Sequence, residues 1–274
     1  MRFAALAMKR RLRALAGPLG WNALSRTFAY RALREPGWHF TDARARSSRA
    51  RILNMQNRHQ GETCFIIGGG RSLLHTDLAS LQGRLSIGLN RLYLGFARFA
   101  FTPTYMMCVN ELMMAQWGDE FARLQMPLFT SWSSRKHAPA KAIFMRTREG
   151  TAFSDAPANH VNVGGTVTFV ALQLALWMGV QEAVLVGIDH DYAYLDNERG
   201  QAANTTVERI AADNNHFSDQ YFGKGSQWQL PDLESSEIAY RAARQAYEEA
   251  GKTIYDATPG GKLDIFPKRD LATF

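Results

Sequence analysis

The sequence predicts an α/β fold of the Rossmann-like kind. A mostly parallel sheet carries helices on both faces, and a basic helical extension precedes it. Three observations predict this. Short apolar runs of strand length, such as residues 64–67 and 183–186, show no polar alternation, as strands buried on both faces should. Helix-length segments alternate with these runs in chain order. Glycines and polar residues collect where the runs end, which is where open parallel sheets bind ligands.

The extension and its linker span residues 1–60, and the nucleotide-binding body spans residues 61–274. Charge marks the division. Residues 1–60 hold 13 Lys and Arg against 2 Asp and Glu, whereas the remainder holds 19 against 23. The net charge of +7 therefore belongs to the extension. Leu6, Leu12, Leu15 and Leu19 alternate there with Lys9, Arg10, Arg11 and Arg13, until "GPLG" breaks the pattern. A basic amphipathic segment of this kind can lie on an anionic membrane surface, with Trp21, Phe28, Tyr30 and Trp38 as interfacial anchors. The other reading is a helix packed on the body with its charges solvated. No nucleic-acid reader motif accompanies the charge, so nucleic acid is not an expected partner.

The body opens with "TCFIIGG", a buried strand. "RSLLHTDLASL" follows as a helix, then "LSIGLNRLYL" as a strand and turn, and "PTYMMCVN" as a third strand. "ELMMAQWGDEFARL" is a helix, and "MPLFTSW" and "KAIFMRT" are strands. "TVTFVALQLALWMGV" is a strongly apolar helix with Gly179 placed for a left-handed cap. "EAVLVGID" is the next buried strand. Residues 190–232 are too long and polar for an ordinary connection and read as functional. An amphipathic helix over 233–250 and the strand "KTIYDAT" complete the body.

Cys64 and Cys108 lie in apolar runs with neither disulfide nor metal-ligand spacing, which fits a reducing compartment. "FAALAM" is too short for a secretory core, and residues 161–180 read as a buried helix rather than a membrane span. The expected location is the cytoplasm, peripheral to the inner face of the membrane if the extension binds there.

The strand ends name the candidate site. Gly68, Gly69, Gly70 and Ser72 follow the first strand, where glycines allow close approach to a phosphate and a following helix presents free N–H groups. The pattern is neither G-x-G-x-x-G nor a P-loop, and a turn with no ligand is equally open. Asn90 and Asn110 end the second and third strands, as ligands of a base or ribose or as turn formers. Gly164, Gly165 and Thr166 precede the apolar helix, as a second anion site or a plain N-cap. Asp189 and Tyr192 lie in "DHDY" after the next strand. His216, in "DNNHFSDQYFGKG", is the best general base in the chain, since a neutral imidazole accepts a proton near neutral pH. Lys224 between glycines can reach a phosphate. Trp228 and Tyr221 stack on a ring or pin the loop to the body.

The stretches "IIGGGRSL", "SIGLNRLY", "GGTVTFVALQLALWMGVQEAVLVGIDHDY", "NHFSDQYFGKG" and "PDLESSEIAYRAARQAYEEAGKTIYDATPGGKLDIFPK" cover much of residues 60–270. They resemble the family named for the archaeal 6-hydroxymethylpterin diphosphokinase MptE, in its bacterial surface-glycan form. The Gly-rich loop ending in Ser-Leu, the Asn after the second strand, the Gly-preceded helix leading to "GID" and the Asn-x-His are also similar to bacterial CMP-sialic-acid-dependent sialyltransferases.

The second resemblance implies an inverting glycosyltransferase. It would move an acidic sugar from a CMP-type donor to a hydroxyl of a surface-glycan acceptor. His216 would be the base, with Asp189 and Tyr192 in catalytic roles. Gly68, Gly69, Gly70, Ser72, Asn90, Asn110, Gly164, Gly165, Thr166 and Lys224 would hold the nucleotide. No metal or other cofactor would be required, because hydroxyls and helix dipoles stabilise the leaving charge. Arg71 stands where that family has proline, and its paired tyrosines align only loosely with Tyr192 and Tyr194. The first resemblance implies ATP, magnesium held by Asp189 and Asp191, and pyrophosphoryl transfer to a pterin alcohol. A non-catalytic nucleotide-binding partner in glycan assembly is a third reading.

Overall fold

A computed structural model describes Trp38 and residues 42–274. The expectations for residues 1–37 and 39–41, including membrane contact, lie outside the described residues. The compact unit that carries the fold is Ser48–Phe274.

The described chain begins with α1 (Ala43–Leu53), then runs β1 (Thr63–Ile67), β2 (Ser86–Leu89), the single turn α2 (Phe96–Phe99), β3 (Tyr105–Cys108), α3 (Glu111–Ala122), β4 (Leu128–Ser131) and β5 (Ile143–Met145). The short strands β6 (Thr147–Arg148) and β7 (Val161–Asn162) lead to α4 (Val167–Trp177) and β8 (Glu182–Val186). A two-stranded hairpin, β9 (Thr206–Glu208) and β10 (Gln227–Gln229), precedes α5 (Leu233–Glu249) and β11 (Thr253–Asp256).

Seven strands form one sheet in the order β11-β8-β1-β2-β3-β4-β5, and every pairing in it is parallel. The expected α/β Rossmann-like architecture is therefore present. Its strands are short and buried on both faces, which is why they read as unbroken apolar runs. Cys64 and Ile66 of β1 point into a core shared with Ile87, Met107, Phe129 and Leu185. The alternate residues Phe65 and Ile67 are equally buried on the opposite face. Helix α4 lies against β1, β2 and β3, and α5 against α4 and β11. Eight of the eleven residues of α4 are buried, so it is apolar all round. Gly179 follows it with φ +88°, as a left-handed cap requires. Residues 48–60, which the charge pattern groups with the extension, contribute Ile52 and Met55 to this core.

One predicted helix does not form. After β1 the chain makes two 3-10 turns, Arg71–His75 and Ala79–Leu81, in place of an α-helix. The segment spans eleven residues but carries a Thr76-Asp77 break, where Thr76 is extended at φ −112° and ψ 130°. A 3-10 turn has no sustained macrodipole, so the dipole expected behind Gly70 is missing.

Strand order places the site. Connections from β1 run towards β2, and those from β8 run towards β11 on the other side. A crevice opens between the carboxyl ends of β1 and β8, the switch point at which sheets of this kind bind ligands.

Candidate functional site

The chain itself fills the deepest part of that crevice. Beyond the strand ends the β1–β8 ladder continues, with Gly68 N–H donating to the Val186 carbonyl at 2.8 Å and Gly70 N–H to the Gly187 carbonyl at 2.9 Å. A Cβ on Gly68 would collide with the Gly187 carbonyl, and one on Gly70 with the Asp189 carboxylate. A Cβ on Gly69 would stand 2.8 Å from the ring of Tyr221. The three glycines thus admit neighbouring parts of the chain.

Asp189 then takes the donors expected to hold a phosphate. It accepts the Ser72 N–H at 3.0 Å and the Ser72 hydroxyl. Ser72 is thus engaged by Asp189, and Asp189 itself borders the inner cleft. The two satisfy each other, and Asp189 is a structural anion in the place proposed for an external one. Gly68, Gly69 and Gly70 still line the inner cleft, whereas Ser72 lines the cleft on the far side of Asp189.

The second glycine turn is built differently. Gly164 and Gly165 both have positive φ, +53° and +71°. They reverse the chain after β7, so that Thr166 enters α4 extended, at φ −153° and ψ 141°. The Thr166 hydroxyl caps the helix by accepting the Thr168 N–H at 3.3 Å. The first turn of an eleven-residue α-helix consequently opens on the cleft, with Gly165, Thr166, Val167 and Thr168 in its wall.

The two strand-end asparagines part company. Asn110 caps α3 through its Oδ1, which accepts Met113 N–H, while its Nδ2 donates to Gln229 at 2.9 Å. Both ends of its amide are bonded within the protein, and it borders the outer cleft. Asn90 adopts φ +51°, and its Oδ1 is buried with no hydrogen-bond partner. It lines both the inner and the outer cleft.

Residues 190–232 are a strap with a core of its own. Arg209 and Glu198 pair at 2.7 Å with side chains almost wholly buried. Trp228 donates its indole N–H to the same carboxylate at 3.0 Å. Trp228 and Tyr221 are both buried, so of their two expected roles they take that of pinning the strap. Lys224 is exposed and lines neither the inner nor the outer cleft, which corrects its expected reach to a phosphate.

The strap delivers His216 to the cleft. The His216 backbone forms an isolated bridge with Gly70, and Phe217 N–H donates to the Gly69 carbonyl at 3.0 Å. Its Nδ1 lies 2.7 Å from Oδ2 of Asp213, whose side chain is 1% exposed. With Asp213 ionised, Nδ1 carries the proton of the neutral ring and Nε2 carries the lone pair. Nε2 has no hydrogen-bond partner among the described residues, and His216 lines both clefts.

Burial alone would raise the Asp213 carboxyl. The hydrogen bond and charge of His216, the Asn215 N–H and the charge of Arg209 outweigh it and hold the group below its ordinary value. The sequence reading passed over Asp213, yet the signal was present: an Asp three residues before the His, inside the same motif.

Tyr192 borders all the clefts around this point, and burial pushes its hydroxyl well above the usual tyrosine value. It stays protonated and able to donate. The outer cleft has a volume of about 610 Å³ and the inner one about 120 Å³, and they meet at Asn90, Gly165, Thr166, Tyr192 and His216. Thr166 and His216 therefore do share one rim, and Ser72 lies behind it. Among the described residues no group of three or more His, Cys, Asp or Glu is placed to hold a metal ion. No described helix is long and apolar enough to cross a membrane.

No protein-family model and no curated protein matches the sequence. Among solved structures the chain is similar to the MAf glycosyltransferase from Magnetospirillum magneticum AMB-1, with a TM-score of 0.50 and 16% identity. The match covers 98% of this chain and 47% of that one, so the chain spans about half the length of that protein. At this identity the likeness shows the shared fold.

Proposed function

We propose that the chain is a glycosyltransferase that moves a sugar from a nucleotide-activated donor to an acceptor hydroxyl, with His216 as general base. One observation carries the reading: a buried carboxylate bonds Nδ1 of His216, a residue in the wall of a cleft at a topological switch point, and leaves Nε2 without a partner among the described residues. The name of the structural neighbour favours the same class.

In the proposed step, Nε2 of His216 takes the proton of the acceptor hydroxyl as its oxygen attacks the anomeric carbon. The bond from that carbon to the donor's phosphate oxygen breaks, and the electron pair leaves with the nucleotide. Attack from the face opposite the leaving group inverts the anomeric centre. Asp213 remains ionised and stabilises the imidazolium. The groups available to the departing phosphate are the Tyr192 hydroxyl and the first turn of α4, which favour negative charge without a side-chain cation. The Asn90 Oδ1 accepts a hydroxyl or amino hydrogen of the donor. Asp189 and Asp191 both border the inner cleft, where the diphosphokinase reading would place magnesium, and the transfer proposed here routes no step through a metal.

His216→Ala is expected to lower transfer by about 10²–10⁴-fold and to leave donor binding intact. The donor is identified by melting-temperature shifts with CMP, CDP, UDP, GDP and ATP, with and without magnesium, since a ligand that binds only the native state stabilises it. The CMP-type donor of an acidic sugar predicts stabilisation by CMP without metal. Stabilisation by ATP only with magnesium would move the assignment to the diphosphokinase. Nucleotide binding with no turnover in any pairing would leave a non-catalytic partner in glycan assembly.

A further inference from the structure

We infer that Tyr221, clamped by Arg91, is the platform that fixes the plane of the His216 ring, and that Arg91 is a positioning residue for the candidate base. The inference rests on the general-base reading above. Its structural half stands on separate observations.

The imidazole of His216 lies flat on Tyr221, with ring centroids 3.9 Å apart and planes 2° from parallel. Asp213 holds one edge of the imidazole, and the Cβ bond and this hydrogen bond still allow the ring to tilt on its side-chain torsions. A flat aromatic surface at van der Waals distance limits that tilt and holds Nε2 in one direction. Phe222 meets the His216 ring edge-on, with centroids 5.5 Å apart, and closes a second side.

Tyr221 needs a rigid mounting to do this, and Arg91 supplies one. The Arg91 backbone N–H donates to the Tyr221 hydroxyl at 3.3 Å. Its guanidinium donates to the carbonyls of Gln220 at 2.8 Å and Tyr221 at 2.7 Å. The other nitrogens reach Glu120 at 2.9 Å and the Tyr93 hydroxyl at 3.0 Å, and Trp117 lies beneath the guanidinium plane at 4.0 Å. Both ends of Tyr221 are thus tied to one residue, which directly follows Asn90 at the end of β2. Arginine suits the place because its planar fork satisfies several acceptors at once, which a lysine ammonium cannot do with the same geometry. The absence of a side chain on Gly69 lets the Tyr221 ring sit there, since a Cβ would stand 2.8 Å from three of its atoms. One of the glycines expected to cradle a phosphate is explained by the platform.

The test uses the full chain and two independent readouts. The first is the proton NMR spectrum of the His216 ring, assigned by its disappearance in His216→Ala. Stacking on Tyr221 moves these protons upfield by ring current. The upfield displacement is expected to survive in Tyr221→Phe and to be lost in Tyr221→Leu and in Arg91→Met. The second readout is transfer with the donor found above, where Arg91→Met is expected to lower kcat about tenfold with KM unchanged and Arg91→Lys to recover part of it. Arg91→Met strips partners from two carbonyls. If that variant does not fold, Gly69→Ala, which removes no hydrogen-bonding group and presses a Cβ onto the Tyr221 ring, tests the platform by the same loss of displacement, and Arg91→Lys alone then tests the positioning role by its kcat. A displacement that persists in the folded variant overturns the platform, whatever the turnover. A lost displacement with unchanged kcat overturns the positioning role. The general-base reading fails separately, if His216→Ala itself leaves transfer unchanged.

Discussion

Two glycine-rich turns face the same cleft, and in the sequence they look alike. Each places consecutive glycines and a hydroxyl residue ahead of an apolar helical pattern. The turn at Gly68–Ser72 closes on the chain's own Asp189 and leads into 3-10 turns. The turn at Gly164–Thr166 uses two left-handed glycines to start an α-helix of eleven residues, and its first turn borders the cleft. Glycines after a strand record only that something approaches the backbone closely. The visitor at the first turn is a carboxylate and a tyrosine of the same chain. At the second, glycine is needed for the left-handed backbone as well as for the close approach of Phe169 and α5, and the helix start that follows borders the cleft.

The largest expected effect breaks the second turn. Gly164→Ala forces a side chain at φ +53°, with its Cβ 2.5 Å from both Ala239 and Phe169. Left-handed strain and overpacking together should cost about 2–5 kcal/mol, read as a lowered urea midpoint. A cost below about 0.5 kcal/mol would mean that the left-handed turn is not required.

The two hydroxyls sharpen the contrast. Ser72→Ala removes one of the bonds to the Asp189 carboxylate and should cost about 1.5–3 kcal/mol without changing nucleotide affinity. Thr166→Ala removes the helix cap at about 0.5–2 kcal/mol and should weaken nucleotide binding as well. If Ser72→Ala weakened the nucleotide and Thr166→Ala did not, the roles assigned to the two turns would be reversed.

The smallest effect concerns the buried carboxylate behind His216. Asp213 is held below its ordinary value, so its contribution to stability is complete above about pH 4. That contribution is lost as pH falls through the lower folded value, because the unfolded chain takes up the proton first. Urea midpoints measured from pH 6 to pH 3 should therefore fall more steeply for the native chain than for Asp213→Asn. Parallel curves would mean that Asp213 is not the buried anion of the pair.

The sequence by itself determined the sheet, because β1 to β5 and β8 are short apolar runs that can only be buried on both faces. It also determined α4 and its Gly179 cap, and it singled out His216 as a candidate. Periodicity and strand-length burial are local properties, and local patterning carries them. Only the tertiary structure decided what each strand-end residue does. Asn90 and Asn110 look equivalent along the chain, yet one amide is consumed by a helix cap and Gln229 while the other keeps a buried oxygen without a partner. Asp189 lies 117 residues from Ser72, and Arg91 lies 130 from Tyr221. No local pattern specifies such meetings. They follow from strand order and from the path of the strap, which bring distant segments to one crevice and settle which polar groups are already satisfied there.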